Sequence, residues 1–155
     1  MTDTIREQII GKFTARAAML TVANGFNSDM GLNVLRAVRD LGPSDPPCLV
    51  VWPLPEESEQ RYGKDYIAMQ VRIEGFLIHG DQNSSVVAEI ILGDLRKCFT
   101  DPAAFASAYG GLVDELEYVS GGTDTFAQAG EEFTGNNIVL SVRYHTLTGD
   151  PYNQT

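Results

Sequence analysis

The sequence predicts an α/β layer of α+β type: a single mixed, roughly five-stranded sheet with two long helices packed on one face, in the order α-β-β-β-α-β-β. Three observations predict it. Between Tyr66 and His79, residues Ile67, Met69, Val71, Ile73 and Leu77 share one parity while Gln70, Arg72 and Glu74 share the other. Alternation of this length is the pattern of a half-buried central strand, and no helical stripe separates those polar residues from the apolar ones. Near the C-terminus Ile138, Leu140, Val142 and Tyr144 alternate in the same way with Val139, Ser141, Arg143 and His145. Two other segments carry helical spacing instead: Ile5, Ile9, Phe13, Ala17 and Leu20, then Val87, Ile90, Ile91, Leu95 and Cys98.

Taken in order, the first helix opens at Thr4, with Glu7 completing a capping box. It is expected to run to about Val22, where Asn24 to Asp29 supply turn chemistry and Gly25 a left-handed C-cap. A short strand is expected around Leu32 to Arg39. The stiff loop Gly42-Pro43-Ser44-Asp45-Pro46-Pro47 delivers the apolar run Cys48 to Trp52, which reads as a buried strand bounded by Pro53 and Pro55. Glu56 to Gly63 is expected to be a charged, mobile loop leading into the central strand, in which Gly75 marks a bulge or bend. Turn and cap residues from Gly80 to Ser85 precede the second helix. Asp101-Pro102 reads as the N-cap and first-turn proline of one or two turns through Ala108, closed by Gly110-Gly111. Leu116 and Tyr118 belong to a fourth strand. Residues 120–137, rich in Gly, Thr and acid, are expected to form a long functional loop.

With 155 residues, 43% of them hydrophobic, the chain is long enough for one well-buried core and is expected to be a single domain over 1–155. Its formal net charge of -10 disfavours gripping nucleic acid phosphates, which takes clustered Lys and Arg. No apolar window is long enough to span a membrane, and Met1-Thr2-Asp3-Thr4 lacks the start of a signal peptide, so a cytosolic location is expected. Cys48 and Cys98 fall on apolar faces and read as reduced core thiols.

Sequence signals of chemistry are sparse. Phosphate-binding loops, a dinucleotide fingerprint, Cys-x-x-Cys, His-Glu-x-x-His and Gly-x-Ser-x-Gly are all missing. The two histidines, His79 and His145, sit on separate strands, so no metal site is expected. Carboxylates are plentiful at Glu56, Glu57, Glu59, Asp114, Glu115, Glu117, Glu131 and Glu132. Two of them in proximity would suit acid and base roles, although solvated loop charge is the simpler account. The residues thus predict an acidic, protein-binding domain with no catalytic residue, cofactor or metal.

The run Val142-Arg143-Tyr144-His145-Thr146-Leu147-Thr148-Gly149-Asp150-Pro151-Tyr152 resembles the ending of the tail terminator proteins of long-tailed phages, relatives of the lambda minor tail protein U. In that family a strand with a Tyr-Arg-Thr pattern runs into Gly-Asp-Pro-Tyr; here His145 stands where Arg is usual. The element order is similar too, from the capped first helix through the Pro-rich loop and Glu-rich segment to the second helix. The resemblance implies a homo-oligomer, a hexameric ring that docks on the head-proximal end of the tail tube. The ring would halt polymerisation of the tube protein and offer its other face to the head-completion protein, without catalysis. It places the protein in the bacterial host cytoplasm during assembly and in the neck of the virion tail afterwards. Candidate interface residues are Glu56, Glu57, Glu59, Arg61 and Tyr62 in the first polar insertion, Glu131 and Glu132 in the second, and Arg143, Asp150 and Tyr152. Gly149 to Tyr152 is expected to be a stiff arm that packs on a neighbouring subunit or on the domain's own edge, with Tyr152 as its anchor. Two other readings compete: a different neck or tail-completion component, and an acidic hydrolase using loop carboxylates.

Overall fold

The computed structural model describes residues 2–103, 109–123 and 131–155. Helix α1 (Ile5–Ala17) starts as the capping box requires, with Thr4 in extended geometry accepting the Glu7 N–H at 3.0 Å. It ends well before Val22. Leu20 remains fully buried, but Gly31 crosses close by, donating its N–H to the Leu20 carbonyl at 2.8 Å. A Cβ on Gly31 would stand 2.5 Å from the Ala17 carbonyl oxygen, so the crossing requires glycine, and it takes up the Leu20 carbonyl that a continuing helix would need. The left-handed Gly25 (φ 92°) closes the short 3-10 turn Val22–Asn24 rather than the helix itself. A second such turn, Met30–Leu32, leads into β1 (Val34–Arg36), which is shorter than the expected 32–39.

The remaining elements are β2 (Cys48–Arg61), β3 (Lys64–Ile78), α2 (Ser84–Thr100), β4 (Glu115–Gly121) and β5 (Phe133–Leu147). They form one five-stranded sheet in the order β1-β2-β3-β5-β4, with β1 parallel to β2 and every other pair antiparallel. The expected fold class is therefore observed.

Two local expectations are corrected. Glu56 to Gly63 is not a mobile loop, because β2 continues through both prolines. Pro53 faces Val71 and Glu56 faces Met69, so one extra residue is absorbed in a bulge that tolerates the missing proline N–H groups. Beyond the bulge Glu56 to Arg61 pairs with Met69 to Lys64, and Tyr62-Gly63 closes the hairpin. Gly75, conversely, is not a bulge, since pairing runs through it on both sides. A Cβ there would meet Met30 Sδ at 2.6 Å and Ile91 Cγ2 at 2.9 Å, so this glycine provides clearance for the layer above.

Both helices lie on one face of the sheet. Met69, Val71 and Ile73 of β3 stand beside Val142, Leu140 and Ile138 of β5 in register, and all six are fully buried against Ile9 and Phe13 of α1 and Ile91 and Leu95 of α2. Buried Asp94 of α2 tethers the preceding turn by accepting the Asn27 N–H at 3.0 Å and the Ser28 hydroxyl at 2.6 Å. Cys48 and Cys98 are free and buried, and burial pushes their thiols up to about 11 and about 12. On the opposite face, 37–47 folds over the β1 side, where Arg39 lies 6.0 Å from the Trp52 ring and Cys48 and Val50 are buried. No other described element covers that face. The loop expected at 120–137 is shortened by β4 and β5, and its residues 124–130 lie outside the described residues. Of the turns expected through Ala108, Asp101 does accept the Ala103 N–H at 2.9 Å, while 104–108 lie outside the described residues.

Candidate functional site

The uncovered face ends in the arm formed by the far halves of β2 and β3. Tyr62 (φ 52°) and Gly63 (φ 79°) are both left-handed, as a two-residue hairpin turn with the twist of its strands requires. Glycine adopts this geometry freely, whereas for tyrosine it costs roughly 1–2 kcal/mol. The Tyr62 side chain is 100% exposed, so no contact within the chain offsets that cost. The tip is nevertheless held, because Gly63 accepts the Thr148 N–H at 3.0 Å from the end of β5.

Register then decides which side chains meet. Glu57, Ala68, Arg143 and Glu115 form one cross-strand row, and Glu59, Tyr66 and His145 form the next. Alanine is the short side chain between long neighbours, and the result is a groove of about 680 Å³ lined also by Arg61, Lys64 and Asp114. Inside it His145 Nδ1 lies 2.7 Å from Asp114 Oδ2, Arg143 lies 3.8 Å from Glu115, and Arg61 lies 2.9 Å from Glu59. The Arg61 guanidinium also covers the Tyr66 ring at 5.6 Å. Exposed pairs of this kind contribute roughly 0–1 kcal/mol each, so they orient side chains more than they stabilise the fold.

Of the expected interface residues, the structure brings Glu57, Glu59, Arg61 and Arg143 together in this groove, with Tyr62 at its outer end. Glu56 points to the other side. Its carboxylate accepts the Tyr144 hydroxyl at 2.9 Å and lies 3.3 Å from Arg6, which also donates to the Leu54 carbonyl at 2.7 Å. This cluster pins the bulge to α1, and burial, aided by the Glu56 carboxylate, raises the Tyr144 hydroxyl well above the usual tyrosine range. Glu131 and Glu132 lie at the opposite end of the sheet, lining a hollow of about 310 Å³ with Pro43 and Phe133. At roughly 3.3 Å per residue the length of β3, about 45–50 Å, separates them from the arm, so the two polar insertions do not form one surface.

Asp150 and Tyr152 belong to a C-terminal turn that folds back on the domain's own edge. The Pro151 carbonyl accepts the Ile5 N–H at 2.8 Å, the Asn153 carbonyl accepts the Leu147 N–H at 2.9 Å, and Gln154 donates to the Leu112 carbonyl at 2.9 Å. Asp150 stabilises the turn by accepting from the Tyr152 N–H at 3.1 Å and from Asn153 Nδ2 at 2.7 Å. The Tyr152 side chain stays about half exposed. Of the two placements expected for this segment, the chain adopts the one against itself.

Lys64, Tyr66, Ala68, Asp114 and His145 line the groove without having been expected there. Continuing the alternation of β3 back to Lys64 would have found the first three. Asp114 meets His145 only through the register of β4 on β5. The other histidine, His79, is at the far end of the sheet, with Nδ1 3.0 Å from the Thr134 hydroxyl. Among the described residues no group of three or more His, Cys, Asp or Glu side chains could hold a metal ion, and no helix is long and apolar enough to cross a membrane. No known protein-family model matches the sequence, and no curated protein matches it.

Proposed function

We propose that the chain is a structural subunit of a phage tail: a terminator that assembles into a hexameric ring, caps the head-proximal end of the tail tube, stops its polymerisation and presents its other face to the head-completion protein. The observation that carries this reading is the lopsided cover of the sheet. Two helices bury one face, whereas the other face is covered only on its β1 side and the hairpin arm beyond finds no cover among the described residues of its own chain. A rigid strand ladder with an exposed, charged end suits an assembly contact, because little ordering entropy remains to be lost on docking. The ending of β5 and the Gly149-Asp150-Pro151-Tyr152 turn supply the family resemblance. A net charge of -10 fits a ring whose lumen must let DNA pass without adhering. The reading assigns no catalytic residue and no cofactor, and it places the protein in the host cytoplasm during assembly and in the virion neck afterwards.

The test is to add purified protein to polymerising tube protein and measure tube lengths and co-sedimentation. Arrested growth with the protein retained on tubes is expected. Unchanged lengths and no retention would overturn the reading, and retention by portal or head-completion protein alone would replace it with that of another neck component.

A further inference from the structure

We propose that the arm tip of one copy, with Tyr62 as its anchor, seats in the groove over Ala68 of a second copy. The inference deepens the ring reading and rests on it only for the premise that copies associate.

Three observations carry it. First, Tyr62 occupies a left-handed position that asparagine or glycine fills more easily, and its ring is 100% exposed, so the fold itself gains nothing from having tyrosine there. An aromatic ring displayed in solvent from a hydrogen-bonded turn has the chemistry of a contact anchor, since it buries much area with few torsions to freeze. Secondly, the groove has a small floor at Ala68 beside Tyr66 and His145, which leaves room for a ring next to the aromatic pair, with the Arg61 guanidinium already on the Tyr66 ring. The chain's own Tyr62 does not enter it, because that side chain touches nothing.

Thirdly, the charges match. Tyr62-Gly63 is flanked by Arg61 and Lys64, which line the tip end of the groove, whereas the rest of its wall bears Glu57, Glu59, Asp114 and Glu115 against Arg143 and His145. Arg61 is engaged by its own Glu59, but among the described residues neither Lys64 nor Glu57 has an ion-pair partner. A visiting Lys64 beside a resident Glu57 satisfies both. Tyr62 lies outside the lining of its own groove, so anchor and receptor are unlike parts of the arm, and the contact is head-to-tail and closes into a ring at a fixed rotation.

The test uses Tyr62→Asn and Ala68→Tyr in the full chain, followed by sedimentation velocity over a concentration series and by melting. Asn-Gly is the preferred sequence for this turn, so Tyr62→Asn should melt at or above the wild-type temperature while weakening self-association by about tenfold or more. Ala68→Tyr fills the groove with a strand-forming residue and should do the same to association. An equimolar mixture should give a species of twice the monomer mass and nothing larger, because one variant keeps its groove and the other its tip. Wild-type association by Tyr62→Asn overturns the proposal and leaves the ring reading standing. A wild-type chain that stays monomeric at every concentration, with tube protein present, overturns both.

Discussion

Cys48 to Val51 and Glu57 to Arg61 belong to the same strand and pair with the same partner, yet the first stretch is wholly buried and the second wholly exposed. The backbone ladder is common to both, so the difference lies in what the side chains meet. In the first, Leu49 and Val51 enter the helix-covered core while Cys48 and Val50 are buried outside it. In the second, no described layer lies above or below, and order comes from the ladder, from the Glu56 cluster at its base and from Gly63 at its tip. Burial of apolar area is the main stabilising term, so free energy of folding should concentrate in the first stretch and contact chemistry in the second. The bulge between Pro53 and Glu56 is the boundary.

The largest effect should come from the core side. Ile73, opposite Val51 and fully buried, should cost roughly 3–4 kcal/mol on replacement by alanine, measured by urea unfolding, with arm chemistry untouched. Next is removal of the chain after Thr148, which strips the Ile5 and Leu147 N–H groups of their acceptors. At about 1 kcal/mol per bond, a loss near 2 kcal/mol is expected, and unchanged melting would show that the C-terminal turn only decorates the edge.

Alkaline pH should also act on the buried side. Burial raises Cys98 from 9.0 to about 12 and Cys48 from 9.0 to about 11, and it raises the Tyr109 and Tyr144 hydroxyls as well. From about pH 9 upward the unfolded chain releases thiol protons that the folded chain keeps, so the unfolded state binds fewer protons and stability falls as pH rises. Melting followed from pH 8 to 10.5 should show this decline, with a shallower slope once both cysteines are alanine. The smallest effect on stability belongs to the arm. Glu57→Lys combined with Glu59→Lys should shift unfolding by no more than about 0.5 kcal/mol, yet impair tube capping in the length assay. Normal capping by this variant would erase the proposed division of labour along β2.

Much of the fold was legible in the sequence because β3, β5 and the two helices each bury one face, and burial imprints a period. The arm was hidden for the converse reason: Glu56 to Arg61 gains its partners through the backbone, which leaves no apolar signature, and two prolines imitate a strand end. The early stop of α1 depends on Gly31, a residue distant in sequence, and no local pattern records that crossing. The candidate site divided in the same way. Glu57, Glu59, Arg61 and Tyr62 stand out as candidates because they form one long polar stretch, whereas Asp114, Ala68 and His145 join them only through register between separate strands. Glu131 and Glu132 resemble the arm in composition but lie a full strand length away.

Closure of the domain into a ring on a tail tube is, as proposed above, its function. Electron microscopy of tubes assembled with the purified protein tests it most directly. A hexameric ring is expected at one end of each tube and none at the other, and a protein that remains strictly monomeric beside tubes with two bare ends would overturn the proposed function.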